Sequence, residues 1–198
     1  MALSHGVQLH RRLSAWHPDH ARHPRGLLGH RGAQGLSAGL PPLDEPAEEP
    51  RRKRYERLVI RTDGAARGNP GPASAGAVLI DATRPDAFDP DAMAVAVVAR
   101  ALGVRTNNVA EYAGLVLALR EAERLGAQEV DLRLDSKLIV EQLNGRWRVK
   151  DAKLQGLFAE AARRLGALRR WSAVHEPRKN NRAADALANM ALDDPFGA

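Results

Sequence analysis

The chain has 198 residues, of which 44% are hydrophobic and 27% are charged. This composition is that of a globular protein and excludes a wholly disordered or fibrous chain. The absence of cysteine excludes disulfide bonds, thiolate zinc sites and a cysteine nucleophile. No apolar run approaches the roughly 20 residues that cross a bilayer, so we expect a cytoplasmic protein with no membrane partner.

The formal net charge is +6, and its distribution predicts two parts. Residues 1–57 hold ten basic and six acidic residues, with six of the seven histidines in the first fifty, and show no apolar periodicity. We interpret them as a disordered tail and linker that end in the basic patch at 51–54. That patch either helps to bind nucleic acid or is merely solvated. Residues 58–198 are predicted to fold as one domain.

The elements follow in order from Leu58. Alternating and continuous apolar runs predict strands at 58–63, 75–80 and 93–102, joined by Gly- and Pro-rich turns. A helix capped by Asn107 or Asn108 is predicted to run to Leu125 and to end at Gly126. The remaining chain predicts a strand at 130–134, helices at 136–143 and 151–165, a strand at 168–175 and a helix at 181–192. The fold class is therefore α/β, with a five-stranded mixed sheet in the order βββαβααβα, flanked by helices.

Glu111 is the carboxylate that local structure explains least. At about 100° per residue it shares one stripe of its helix with Leu115, Leu119 and Leu125. Burying an unpaired carboxylate is costly, and no lysine or arginine stands one turn away on that stripe. A metal ion is the economical partner.

Three further carboxylates have ordinary explanations when taken singly. Asp63 is consistent with an Asx turn, Asp135 with capping the next helix, and Asp185 with a solvated helix face. Their arrangement favours a common site, since Asp63 and Asp135 end strands that the crossover rule makes parallel. Ligands gather at the carboxyl edge of such strands.

Four segments of the chain resemble the ribonuclease H family, type 1. They are TDGAARGNPG around Asp63, TNNVAEYAGL around Glu111, LRLDSKLIVEQLNG around Asp135 and HEPRKNNRAADALANMA around Asp185. All four come in the order of the family, over residues 58–193. The resemblance implies the ribonuclease H-like fold and a catalytic domain at 58–198.

The activity that the resemblance implies is endonucleolytic cleavage of the RNA strand of an RNA/DNA hybrid by a two-metal-ion mechanism, which leaves 5′-phosphate and 3′-hydroxyl ends. The four carboxylates would be both the catalytic residues and the ligands of two Mg²⁺ ions, with Mn²⁺ as the alternative metal. An all-oxygen donor set suits these ions. No protein partner is implied.

The resemblance also implies contacts with the hybrid. The residues expected to make them are Asn69, Asn107, Asn108, Ser136, Lys137, Arg178 and Asn181. Turn chemistry is a competing explanation for the asparagines.

Two departures from the better-known bacterial members stand out. The segment NGRWRVKDAK at 144–153 replaces a basic protrusion, which makes the chain similar to the archaeal-like branch. Trp147, between Arg146 and Arg148, either supports the DNA strand or anchors the core. The mobile histidine of the family has no secure counterpart. His175 is a candidate for a role in proton transfer or product release, and so is Arg178.

Two other functions remain open at this point. One is a different nuclease of the same superfamily, such as a resolvase or an integrase core, and the other is a hybrid-binding module without catalysis. The GNPG turn and the Asn107-Asn108 pair argue against the first, and the presence of all four acids argues against the second.

Overall fold

The computed structural model describes residues 53–194. The predicted tail and linker therefore lie almost wholly outside the described residues, and their disorder stays a prediction. The first strand begins at Arg57, one residue before the predicted domain boundary. Among residues 53–194, no helix is both long enough and apolar enough to cross a membrane.

The structure is a five-stranded mixed sheet with helices on both faces, which confirms the predicted fold class. The strands are β1 (Arg57–Ala66), β2 (Gly71–Asp81), β3 (Ala96–Arg105), β4 (Glu129–Leu134) and β5 (Arg170–His175). The helices are α1 (Asn107–Arg124), α2 (Lys137–Leu143), α3 (Ala152–Gly166) and α4 (Arg182–Asp193), with a short 3₁₀ turn at Arg178–Asn180.

The sheet order is β3-β2-β1-β4-β5. β1, β2 and β3 form an antiparallel meander, whereas β4 lies parallel to both β1 and β5. The predicted crossovers from the first strand to the fourth and from the fourth to the fifth are thus confirmed. They bring the carboxyl ends of β1 and β4 to the same edge of the sheet.

Side-chain alternation along β1 builds a core on each face of the sheet. Leu58 and Ile60 point towards α1 and α3, where they join the larger apolar cluster. Val59 points the other way and packs with Val78 and with Leu187 of α4. The sheet is therefore held between α1 and α3 on one side and α4 on the other.

The predicted C-terminal end of the first strand and the predicted start of the second strand are wrong. β1 continues through Asp63 and Gly64 to Ala66, which pairs with Ala73 at the start of β2. The run of glycine and alanine is typical of a turn, but here it continues the ladder, and the turn is confined to 67–70. Its closing hydrogen bond runs from Arg67 N to Pro72 O, at 2.8 Å. Asp63 accordingly lies inside a strand rather than at its end.

The other boundary differences are smaller. β3 starts and ends three residues later than predicted, because a bulge opposite Ala73 and Ser74 lets its pairing with β2 continue to Arg105. Thr106, rather than either asparagine, caps α1. Asp151 caps α3 by accepting a hydrogen bond from Lys153 N at 2.8 Å.

Helix α4 lies directly on the backbone of β2 at Gly76. A Cβ atom at this position would stand 2.3 Å from Ala184 O and 2.4 Å from Ala188 N, both on α4. Two residues before it, the Ser74 hydroxyl donates to Ala188 O at 2.5 Å. Only glycine allows this approach, so Gly76 determines how closely α4 packs on the sheet.

We predict that Gly76→Ala lowers the free energy of unfolding by about 3 kcal/mol, because the added methyl group must displace the α4 backbone. Gly156→Ala is the matched control, since an added Cβ in α3 meets no atom within 4 Å. That variant should gain about 0.5 to 1 kcal/mol from helix propensity. Urea denaturation measures both, and equal effects of the two substitutions would contradict this packing argument.

Candidate active site

Asp63 and Asp135 lie side by side because of the parallel register of β1 and β4. Ile60 pairs with Leu132, and each aspartate lies three residues beyond that pair. Asp135 directly follows the end of β4. The predicted alternative for Asp135, capping the next helix, is wrong because Ser136 occupies the N-cap of α2.

Glu111 is brought to Asp63 by a close crossing of α1 over β1. A Cβ atom on Gly64 would lie 2.2 Å from Glu111 N, and one on Gly114 would lie 3.1 Å from Asp63 O. Glycine on both elements thus lets the first turn of α1 rest on the strand. The glycine after Asp63 is needed for this contact, and not for the turn that the sequence suggested.

The Glu111 carboxylate is only partly satisfied by the protein. Its Oε1 accepts a hydrogen bond from Asn107 Nδ2 at 2.9 Å. Its Oε2 is buried and has no hydrogen-bond partner among the described residues. Burial raises the pKa of Glu111 and the charge of Asp135 adds to this, while the polar side chains of Ser136 and Asn107 act in the opposite direction.

Asp63 is 7% exposed. Burial, then the negative charges of Asp135, Asp185 and Glu111, raise its pKa from 3.8 to about 7, and Arg178 opposes this shift. The charged form of Asp63 is thus unfavourable until more positive charge enters the site.

Asp135 is held by Asn181, which is 1% exposed. Asn181 Nδ2 donates to Asp135 Oδ1 at 2.9 Å and to Thr62 O at 2.8 Å. Such burial suits positioning better than the predicted contact with substrate. His175 is exposed, and its Nε2 lies 3.1 Å from Asp135 O, to which it donates.

Asp185, in the first turn of α4, forms an ion pair with Arg178. Arg178 Nη2 lies 2.6 Å from Asp185 Oδ1, and the arginine side chain is 76% exposed. Asn189, one turn further along α4, donates to Asp185 Oδ2 at 3.3 Å. Arg178 is therefore the arginine that pairs with a candidate catalytic carboxylate.

The predicted substrate-contacting residues differ in their contacts and in their exposure. Asn69 Oδ1 accepts from Asn107 N at 3.2 Å, so the first turn and the start of α1 are joined beside Glu111. Ser136 follows Asp135 and is half-buried. Asn108 and Lys137 are exposed at the N-termini of α1 and α2.

An open cleft of about 460 Å³ joins these parts. Its lining consists of Asp63, Gly64, Ala65, Ala66, Arg67, Asn107, Glu111, Asp135, Arg178, Asn189 and Leu192. Sequence reasoning missed Arg67, which pairs with Asp193, and Asn189. A helical wheel would have found Asn189, because it lies four residues after Asp185 on the same face.

The donor atoms suit a hard divalent cation, since all four candidate ligands are carboxylates and Glu111 Oε2 is a buried acceptor without a donor. Within residues 53–194, no three acidic or histidine side chains are arranged to hold an ion as they stand. The contacts described above explain this, because Asp185 is turned to Arg178 and Asp135 to Asn181. Like charges also keep carboxylates apart.

Comparison with known proteins places the chain in a family. A family model described as reverse transcriptase-like matches residues 61–191. The bifunctional protein Rv2228c of Mycobacterium tuberculosis is 44% identical over 137 residues, which are 69% of this chain and 36% of that protein. Ribonuclease HI of Halobacterium salinarum is 43% identical over 138 residues, 70% of this chain and 65% of the relative.

Solved structures agree. The crystal structure of the Halobacterium ribonuclease H1 has a TM-score of 0.63 at 42% identity and covers 70% of this chain and 98% of its own. LC11-RNase H1, isolated from compost and solved in complex with an RNA/DNA hybrid, has a TM-score of 0.63 at 36% identity and covers 71% and 99%. Fold and cleft thus define a ribonuclease H-like domain. The chain belongs to the ribonuclease H family, type 1, as the four motifs predicted, and it spans 36% of the mycobacterial relative.

The raised pKa of Asp63 predicts a pH-dependent stability in the absence of metal. A carboxyl group with a raised pKa stabilises the fold while it is protonated, so stability should fall as pH rises from about 4 to 7. At about 1.4 kcal/mol per pKa unit, Asp63→Asn should raise the free energy of unfolding at pH 8 by up to about 4 kcal/mol, and change it little at pH 4.

Urea denaturation in EDTA at both pH values measures this effect. Asp86→Asn is the control, because Arg84 lowers the pKa of that exposed carboxyl group, and its removal should give no gain at pH 8. A wild-type protein that is as stable as Asp63→Asn at pH 8 would show that Asp63 is not electrostatically strained.

Proposed function

We propose that this chain is a metal-dependent endoribonuclease that hydrolyses the RNA strand of RNA/DNA hybrids and leaves 5′-phosphate and 3′-hydroxyl ends. The observation that carries the proposal is the buried Oε2 of Glu111, which has no hydrogen-bond partner within residues 53–194, near the Asp63 carboxyl group, whose pKa is raised to about 7. Retaining such groups in a core is costly. A nuclease that places divalent cations there gains from the same arrangement.

The residues proposed to hold two Mg²⁺ or Mn²⁺ ions are Asp63, Glu111, Asp135 and Asp185. When bound, these ions would activate water and neutralise charge on the scissile phosphate. Asp63, the most buried of the four, is proposed to serve both ions. Asp185 would exchange its contact with Arg178 for this role.

Arg178 then becomes available to the nucleic acid. Its guanidinium group is exposed at the cleft and can bind a phosphate through two parallel hydrogen bonds. Gly64, Ala65 and Ala66 also line the cleft and carry no side chain larger than a methyl group, so a phosphate backbone can approach this part of the lining closely.

Selection of RNA is proposed to depend on the amide side chains near Glu111. The 2′-hydroxyl group distinguishes RNA from DNA, and an amide can both donate to it and accept from it. Asn69 and Asn107 lie beside the carboxylates, and Asn108 is exposed next to them. Ser136 and Lys137 are proposed to contact the backbone at the other side of Asp135. The hybrid in the LC11-RNase H1 structure supports this class of substrate.

Our first functional prediction is that Asp63→Asn reduces cleavage of an RNA/DNA hybrid by at least about a thousandfold while hybrid binding changes little. The amide keeps the shape of the side chain but removes the charge needed by both cations. A gel assay with Mg²⁺ and a labelled RNA strand measures the rate, and fluorescence anisotropy measures binding. Asp91→Asn, which removes an exposed carboxylate paired with Arg182, is the control and should cleave normally.

The same assay separates the other functions considered. The assay includes three further substrates in addition to the hybrid: double-stranded RNA, double-stranded DNA and a Holliday junction. Preferred cleavage of the junction would favour a resolvase-like enzyme, and binding of the hybrid without any cleavage would favour a binding module. Either result would overturn the proposal.

A second prediction concerns substrate selection. Replacing Asn107 and Asn108 with alanine should lower kcat/KM more than replacing Arg146 and Arg148, because the asparagines lie beside the candidate catalytic carboxylates. Arg146 is already paired with Glu141, with Nη2 3.0 Å from Oε1, so its charge is partly neutralised.

Steady-state kinetics on the hybrid at 50 and 200 mM salt tests this order. The arginine variant should mainly reduce the salt dependence, by about 0.9 in log K per lost phosphate contact. A larger loss for the arginine variant at both salt concentrations would show that the 144–153 segment, and not the asparagines, determines how the hybrid is held.

A further inference from the structure

Two arginines lie two residues before the candidate catalytic aspartates of the first and fourth strands. Arg61 precedes Asp63 by two residues on β1, and Arg133 precedes Asp135 by two residues on β4. Because side chains alternate along a strand, each arginine lies on the same face of the sheet as its aspartate. Neither arginine is among the candidate site residues that the sequence analysis selected, although Arg133 lies in the quoted segment around Asp135.

Both arginines bind one carboxylate, that of Glu176. Arg61 Nη1 lies 2.6 Å from Glu176 Oε2, and Arg133 Nη1 lies 3.1 Å from Glu176 Oε1. The side chains of Arg61 and Glu176 are only 1% and 14% exposed. Burial alone would raise the pKa of Glu176, but Arg61 and then Arg133 lower it, so the carboxylate remains charged.

Phe88 closes the cluster from the loop between β2 and β3. Its backbone carbonyl accepts from Arg61 Nη2 at 2.8 Å, and its ring lies 4.7 Å from the guanidinium carbon of Arg133. Glu176 thus contacts both arginines, and each arginine contacts both Glu176 and Phe88. Such a network is rigid, because no member can move without breaking a charged contact.

Glu176 belongs to the segment that connects β5 with the active site. Its backbone N donates to Leu134 O at 2.8 Å. His175, just before it, donates to Asp135 O. Arg178, two residues after it, pairs with Asp185. Pro177 lies between them and restricts the backbone, so the position of Glu176 is transmitted to Arg178.

We propose that Glu176 is a positioning residue, which Arg61 and Arg133 hold so that Arg178 is fixed relative to the carboxylates of β1 and β4. The proposal rests on the hydrolase function proposed above and adds a residue to its machinery. Glu176 does not line the cleft, so it acts through Arg178 and not on the substrate.

The chain offers a matched control at the opposite end of the same strands. Arg57 on β1 pairs with Asp131 on β4, with Nη2 2.6 Å from Oδ2. Ser172 on β5 donates to the same carboxylate at 2.7 Å, and Asp131 is 5% exposed. Asp131→Asn therefore removes a buried carboxylate that, like Glu176, pairs with an arginine of β1, but at the other end of the strands from the candidate catalytic aspartates.

The experiment compares Glu176→Gln with Asp131→Asn. Both should lower the melting temperature, because each leaves an arginine without its charged partner. At 25 °C, where both variants are folded, Glu176→Gln should lower kcat/KM on the RNA/DNA hybrid about tenfold, the scale expected when a reacting group is misplaced. Asp131→Asn should change kcat/KM less than twofold.

A double-mutant cycle with Arg178→Ala distinguishes positioning of Arg178 from a general destabilisation of the fold. If Glu176 acts through Arg178, Glu176→Gln should change kcat/KM less than twofold when Arg178 is already absent. Equal losses in the two backgrounds, or equal losses for the two carboxamide variants, would overturn the inference. If Glu176→Gln does not fold, Arg133→Met replaces it in the same cycle. This substitution removes the 3.1 Å contact with Glu176 and the guanidinium contact with Phe88, but it keeps the Arg61–Glu176 pair.

The outcome for the proposed function is separate. A wild-type protein that fails to cleave the hybrid contradicts the function itself. Cleavage that requires Asp63 but is equally sensitive to Glu176→Gln and Asp131→Asn contradicts only the role of Glu176.

Discussion

Burial of negative charge without an equal positive charge is the constraint on which the rest of the site depends. Asp63 lies within a strand, and Glu111 lies near the N-terminus of a helix packed on that strand. Each is partly removed from water. A fold normally avoids this arrangement or adds a lysine or arginine in contact. Here Gly64 of β1 allows the helix to approach the strand closely, because any larger residue at this position would collide with the backbone at Glu111. The packing of α1 on the sheet therefore brings the two carboxylates together without adding a positive charge between them.

Some surrounding residues position the carboxylates through neutral hydrogen bonds, and others compensate their negative charge. Asn181 and Asn107 hold Asp135 and Glu111 through neutral hydrogen bonds and leave their charge uncompensated. Arg178 supplies one exposed positive charge, at Asp185. Exposed ion pairs of this kind are weak, with a contribution of about 0 to 1 kcal/mol, so this contact can be exchanged for another cation. An arrangement that is costly for stability is thus suited to binding divalent ions and, with them, a phosphate backbone.

Sequence patterns predicted the elements because these depend largely on local rules, whereas the full set of four candidate carboxylates came from the resemblance to the ribonuclease H family. The crossover rule placed Asp63 and Asp135 on parallel strands, and the helical stripe of Glu111 indicated burial. The extension of β1 to Ala66 could not be predicted, because the glycine and alanine residues there pair only when β2 is opposite them. Asn181 was interpreted as a substrate contact, but tertiary packing buries it against Asp135. The Arg61–Glu176 pair joins residues 115 positions apart, and no local pattern indicates such a contact.

The most direct test of the account is a crystal structure of the protein soaked in Mn²⁺, with anomalous diffraction used to locate the metal. The account predicts at least one Mn²⁺ peak in contact with both Asp63 and Glu111 Oε2, the buried oxygen that has no hydrogen-bond partner among residues 53–194. It also predicts that this peak is absent in Asp63→Asn crystals soaked in the same way. An anomalous map without metal at these carboxylates, or with metal bound elsewhere, would contradict the claim that burial of this charge serves to bind cations.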